Sequence, residues 1–271
     1  MATVTTRINQ IKQPRGGFVP VSKFEKIQLD DGKILNAKEN ISPSIIGTVV
    51  EYLARIETGA DNEDAFAISL LGARNCGRYY NKTAQVMNEA IDLLNSIKKG
   101  LDDQSIINAC KLASFDVWYR NLPYAISMNI SNISNISNIS NEINPNKETV
   151  ENIKIMVERG KKFLKNYGPV KLSGFNFLPY GYSKVVDAGD GDFLTKDTLW
   201  DFKTIKSNIT SKHTLQIMMY YLMGKRSGQI IFDDIKNIGI FNPRKNEIYL
   251  LNTNTISKET IEIIEKDIIC Y

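Results

Sequence analysis

Asp190, Asp192, Asp201 and Lys203 crowd into one short stretch, 187–204, whose other residues alternate as two strands would. Asp192-Phe-Leu-Thr195 and Thr198-Leu-Trp-Asp201 each suit a β-strand, and Lys196-Asp197 is a two-residue turn between them. That register sets Leu194 opposite Leu199, Phe193 opposite Trp200 and Asp192 opposite Asp201, with Asp190 opposite Lys203 further out. Side chains alternate along a strand, so the acids and the lysine share one face. Directly opposed residues hold their Cβ atoms about 4.5–5.5 Å apart, a separation at which two carboxylates repel. Folding gains nothing from such a pair. A divalent cation between the carboxylates removes the repulsion, and oxygen-rich sites of this kind suit Mg²⁺ or Mn²⁺. An odd-numbered turn would instead put Asp201 opposite residue 191 or 193, so that the two acids no longer pair directly; Asp190 is the alternative ligand if the hairpin is bulged, or else a salt-bridge partner of Lys203.

Beyond the hairpin, Gln216-Ile-Met-Met-Tyr220 lies on a helical stripe that begins at His213. An acid, a short hairpin, Asp201-Phe202-Lys203 closing an apolar strand and a downstream Gln-x-x-x-Tyr helix together resemble the PD-(D/E)xK nuclease superfamily, in its RecB-like branch. The resemblance covers residues 187–224 well and the remainder only through the order of elements. It implies an α/β protein with a restriction-endonuclease-like core, a mixed central sheet flanked by helices, and an N-terminal helical region. It also implies a nuclease that hydrolyses DNA phosphodiester bonds with Mg²⁺ (or Mn²⁺), in defence, repair or the processing of phage and mobile-element DNA. On that pattern Asp192, Asp201 and the Phe202 carbonyl hold the metal. Lys203 acts on the attacking water, and Gln216 and Tyr220 hold substrate or brace Lys203. Members of the superfamily commonly begin with a helix whose acid reaches the metal, which makes Glu51 a further candidate ligand. Its spacing from Arg55 equally suits an i,i+4 ion pair.

Cys76, Cys110 and Cys270 are scattered and one short of the four ligands that an iron–sulfur cluster needs, so no cluster is expected. No GxxxxGK[ST] motif occurs, so any helicase motor would be a separate chain. Two other readings compete: a catalytically silent nucleic-acid-binding or scaffold protein with the same fold, and a salt-bridged hairpin with no enzymatic role.

The elements that position these residues follow from periodicity. The chain has 271 residues and a net charge of +4, which permits a DNA partner without demanding one. No apolar run of about 18 residues and no apolar leader is present, so a cytoplasmic protein off the membrane is expected. Residues 1–42 read as a basic arm, and 43–128 as a helical region that contributes the first core helix. Residues 129–147 read as a flexible low-complexity loop with Asn-Ile-Ser repeated four times, and 148–271 as the nuclease core. Helices are expected over Ile45–Glu57, Ala65–Leu71, Tyr79–Lys98, Asp103–Trp118 and Glu148–Tyr167. Strands are expected over Val170–Phe177 and Tyr182–Val186, then a helix over 212–223 that Ser211 could cap, and strands near 235–241 and 247–252. Arg55, Arg74, Arg78 and Arg120, with Tyr79, Tyr80, Trp118 and Tyr119 interleaved, form a pattern that can bind single-stranded nucleic acid. The same aromatics also suit a core.

Overall fold

The computed structural model describes residues 2–129, 140 and 142–271, so nearly all of the Asn-Ile-Ser repeat and the expectation of a flexible loop there lie outside the described residues. The chain divides into two compact units: 1–31 with 162–271, and 32–161.

Residues 1–31 are built into the first unit and are not a detached arm. Ala2–Thr3 (β1) leads into the helix Val4–Gln10 (α1), whose N-cap Thr3 accepts the Thr6 amide. Glu25–Gln28 (β2) then joins a sheet. Val4, Ile8, Val19 and Phe24 are buried, and that burial fixes the segment.

The second unit is helical. Pro43–Glu57 (α2) starts at Ser42, which caps the Ser44 amide, and it buries Ile46, Val49, Val50, Leu53 and Ile56, the stripe its periodicity predicts. This helix belongs to the second unit's core and not to that of the sheet. Asn62–Ala65 (α3), Ala67–Tyr79 (α4), Thr83–Asn95 (α5), Asp103–Ala113 (α6), Asp116–Arg120 (α7) and Leu122–Asn129 (α8) follow. Gly72, expected to end a helix, lies inside α4, because a Cβ there would come within 1.9 Å of the Phe115 carbonyl oxygen. The glycine permits close packing; the helix ends further on, with Asn81 in the left-handed region at φ 57°. Asp116 is buried and accepts the Tyr52 hydroxyl at 2.7 Å. Lys147–Tyr167 (α9) closes the unit, its residues from 162 onward belonging to the first.

The first unit resumes with Leu172–Phe175 (β3), Val186–Ala188 (β4), Gly191–Leu194 (β5), Thr198–Phe202 (β6), Ser211–Arg226 (α10), Asn237–Asn242 (β7), Glu247–Asn252 (β8) and Lys258–Ile263 (α11). Six strands form one mixed sheet in the order β2-β8-β7-β6-β5-β3, in which only β6 and β7 are parallel; β1 pairs with β4 separately. Two parallel neighbours need a crossover, and α10 supplies it. Leu199, Ile238 and Ile240 pack with Leu215, Met218, Met219 and Leu222 of α10 in one core. Trp200 and Phe202, pointing the other way, meet Phe163, Phe193 and Phe241, with Phe163 stacked on Phe241 at 4.2 Å. Trp200 lies over Gly239, where a Cβ would fall 2.1 Å from Cζ3. Among the described residues no helix is long and apolar enough to cross a membrane.

Candidate active site

The hairpin has the two-residue turn. Thr195 N donates to Thr198 O at 3.0 Å, Leu194 pairs with Leu199 and Phe193 with Trp200. Continued one step, this register puts Asp192 across from Asp201. The backbone ladder stops there, because Asp192 Oδ2 accepts the Phe202 amide at 2.6 Å in place of a strand carbonyl. Within extended backbone a residue's N–H and C=O project to the same edge, so the Phe202 carbonyl lies on the side that carries Asp192.

Asp201 is almost wholly buried, at 1% exposure, on the strand face that looks toward α10. Lys203, two residues on and therefore on the same face, places Nζ 2.9 Å from Asp201 Oδ1 and 2.8 Å from Oδ2. A carboxylate this deep needs a counter-charge, and Lys203 supplies one.

The crossover helix brings its stripe to the same place. Gln216 Nε2 donates to Tyr220 Oη at 2.9 Å. Burial raises the Tyr220 hydroxyl well above the ordinary tyrosine range, and the negative charges of Asp201, Asp190 and Asp192 push it the same way. The phenol therefore stays protonated amid three carboxylates, a donor and not a base. His213 Nδ1 accepts the Thr210 amide at 2.9 Å, filling the place that Glu or Gln takes in a capping box. Thr210, not Ser211, is the cap, and α10 runs longer than its apolar pattern suggested. Burial and then the Lys203 charge lower the His213 pKa, with Asp201 opposing. The ring is neutral at pH 7, with its proton on Nε2.

Asp190 follows a pinned loop. Tyr182 Oη donates to Gly189 O at 2.6 Å. A Cβ on Gly189 would come within 2.8 Å of Val4 Cγ2 and 3.4 Å of Tyr220 Cε1. Tyr182 and Val4 escaped the sequence reading, since long-range anchoring leaves no local signature.

The remaining candidates lie in the second unit. Glu51 forms the i,i+4 ion pair with Arg55, and the Arg55 guanidinium also lies 5.2 Å over the Tyr52 ring. Arg55 is only 6% exposed, so this expected nucleic-acid contact is in fact a buried ion-pair member. Arg120 pairs with Asp116 at 3.5 Å, while Arg74 and Arg78 stand exposed on α4.

The donor set suits a hard cation. Asp192, Asp201 and the Phe202 carbonyl offer oxygen alone, and the Tyr220 hydroxyl lies in the combined field of three carboxylates. Among the described residues no group of three or more His, Cys, Asp or Glu side chains is already drawn together as a metal cluster. No family model matches the chain, and neither does any curated protein or solved structure.

Proposed function

We propose that this chain is a metal-dependent deoxyribonuclease built on a restriction-endonuclease-like core and acting in the cytoplasm. One observation carries the reading: Asp192, Asp201 and Lys203 share a strand face at the end of a hairpin, and the crossover helix sets Tyr220 among the same carboxylates. Three carboxylates, Asp190, Asp192 and Asp201, act on the buried Tyr220 hydroxyl and one lysine answers them, an excess of negative charge that a bound cation would balance.

Asp192, Asp201 and the Phe202 carbonyl would hold Mg²⁺ or Mn²⁺. The ion, when bound, supplies an activated water and stabilises charge on the phosphate. Asp192 is held for this by the Phe202 amide, which fixes one carboxylate oxygen. Lys203 carries the nearest mobile cation, able to turn from Asp201 toward a phosphate oxygen or the attacking water. Tyr220, kept protonated and itself receiving a hydrogen bond from Gln216, presents a donor of fixed direction. His213, neutral, can present Nε2–H to a phosphate oxygen.

A catalytically silent DNA-binding protein of the same fold is the second reading. The Asp201–Lys203 pair favours it, since it neutralises the buried acid without a cation. One experiment separates the two: purified protein with Mg²⁺ or Mn²⁺ and closed circular, linear or single-stranded DNA. Cutting of circles marks an endonuclease, loss from ends alone an exonuclease, and binding without cutting overturns the nuclease reading.

A further inference from the structure

From the second unit we infer a single-strand DNA-binding platform on the outer face of α4, distinct from the carboxylate cluster. Leu71, Arg74 and Arg78 recur along that face and are exposed, with Asn75 and Tyr79 beside them. The guanidiniums of Arg74 and Arg78 make no hydrogen bond or ion pair with any described residue. Two guanidiniums one helical turn apart, with no acid to meet them, present their full charge outward.

Tyr79 supplies the stacking surface. It is 49% exposed, yet its ring is braced from behind, edge-on to Tyr80 at 4.9 Å and 5.6 Å from the buried Trp118. Asn75 Nδ2 bonds the Trp118 carbonyl at 3.3 Å, tying α4 to α7, and Tyr119 stands exposed on the next residue. A half-exposed aromatic held rigid by other rings loses little freedom when a base stacks on it. Duplex DNA keeps its bases stacked inside, so only an unpaired strand can use both the ring and the guanidiniums. The choice of DNA rests on the reading of the first unit as a deoxyribonuclease. Binding itself needs no hydrolysis.

The test is fluorescence anisotropy of the whole protein in EDTA, with a labelled oligothymidylate of about 20 nucleotides, a duplex of equal length and an oligouridylate. Oligothymidylate should bind best. Arg74→Glu with Arg78→Glu, both at exposed positions, should weaken it by more than about tenfold and flatten the slope of log K against log salt by about 1.4. Tyr79→Ala should weaken binding by about tenfold with the slope unchanged, and Tyr79→Phe should restore it. No binding by the wild type, equal binding of duplex, or affinity untouched by the arginine reversals would overturn the platform. A preference for oligouridylate would overturn the assignment to DNA. Binding is read in EDTA and cleavage in Mg²⁺, so binding without cleavage would sink the nuclease reading alone and loss of binding the platform alone.

Discussion

Asp201 lies at 1% exposure with Lys203 against both of its oxygens, and this alters what a mutation there should do. Repulsion between Asp192 and Asp201 alone would make either acid dispensable without metal. The ion pair makes the two unequal. Lys203→Ala should abolish cleavage and also lower stability in EDTA by about 1–3 kcal/mol, because a buried carboxylate loses its cation. Saturating Mg²⁺ should return most of that stability but not the activity; wild-type turnover by the variant would remove Lys203 from the mechanism. Asp192→Asn should cost under about 1 kcal/mol, since an amide oxygen can still accept the Phe202 N–H. His213, the chain's single histidine, makes a pH dependence assignable. Its folded pKa is depressed by burial and by Lys203, so the unfolded chain takes the proton first. Stability from this group is complete above the unfolded value of about 6.5 and falls as pH drops from there toward the folded pKa. His213→Gln keeps an acceptor for the Thr210 amide and removes the titration. Melting temperatures between pH 7.5 and pH 5.5 should therefore fall less steeply in the variant; equal slopes would show that His213 does not titrate across folding.

The hairpin and the crossover helix are the elements that the sequence announces, because each signal is local. Alternation of period two, a two-residue turn and a stripe at His213, Gln216 and Tyr220 need no knowledge of the rest of the chain. The pairing of β2 with β8 and of β1 with β4 joins segments from opposite ends of the first unit, and no local pattern encodes it. Glycine misled for a similar reason: Gly72 looks like a helix stop until the Phe115 carbonyl is beside it. Gly239 is the counterpart in the sheet. Trp200 occupies the space its Cβ would need, so Gly239→Ala should force the indole from its pocket and destabilise by about 1–3 kcal/mol in a urea titration. A neutral result would mean that β6 and β7 can part without loss. Register also makes a functional distinction. With Phe193 against Trp200, Asp192 faces Asp201, whereas Asp190 lies one step out on the loop that Tyr182 pins. Asp192→Ala should therefore be inactive and Asp190→Ala only weakened, as rates on the same DNA substrate would report. The reverse order would make Asp190 the principal ligand.

At the scale of the whole molecule, each unit has its own core and its own tryptophan. Trp118 belongs to the second unit and Trp200 to the first, and both are buried. Removing either leaves a fluorescence reporter confined to one unit. Trp118→Phe is the milder change, because the indole Nε1 has no hydrogen-bond partner among the described residues, whereas Trp200 Nε1 bonds Thr195 Oγ1 at 3.0 Å. A cation held by Asp192 and Asp201 binds only the folded first unit. At ten times its dissociation constant it should stabilise that unit by about 1.4 kcal/mol, worth about 3–6 °C for a domain of this size. In Trp118→Phe, where only Trp200 emits, Mg²⁺ should raise the unfolding midpoint by that amount, and Asp201→Asn in the same background should abolish the shift. In Trp200→Phe, where only Trp118 emits, the midpoint should not move. A shift seen by Trp118 and not by Trp200 would place the cation in the second unit, with the Glu51 side. Equal shifts in both would mean that the two units unfold as one cooperative body, and the separate cores would then not be separate in energy.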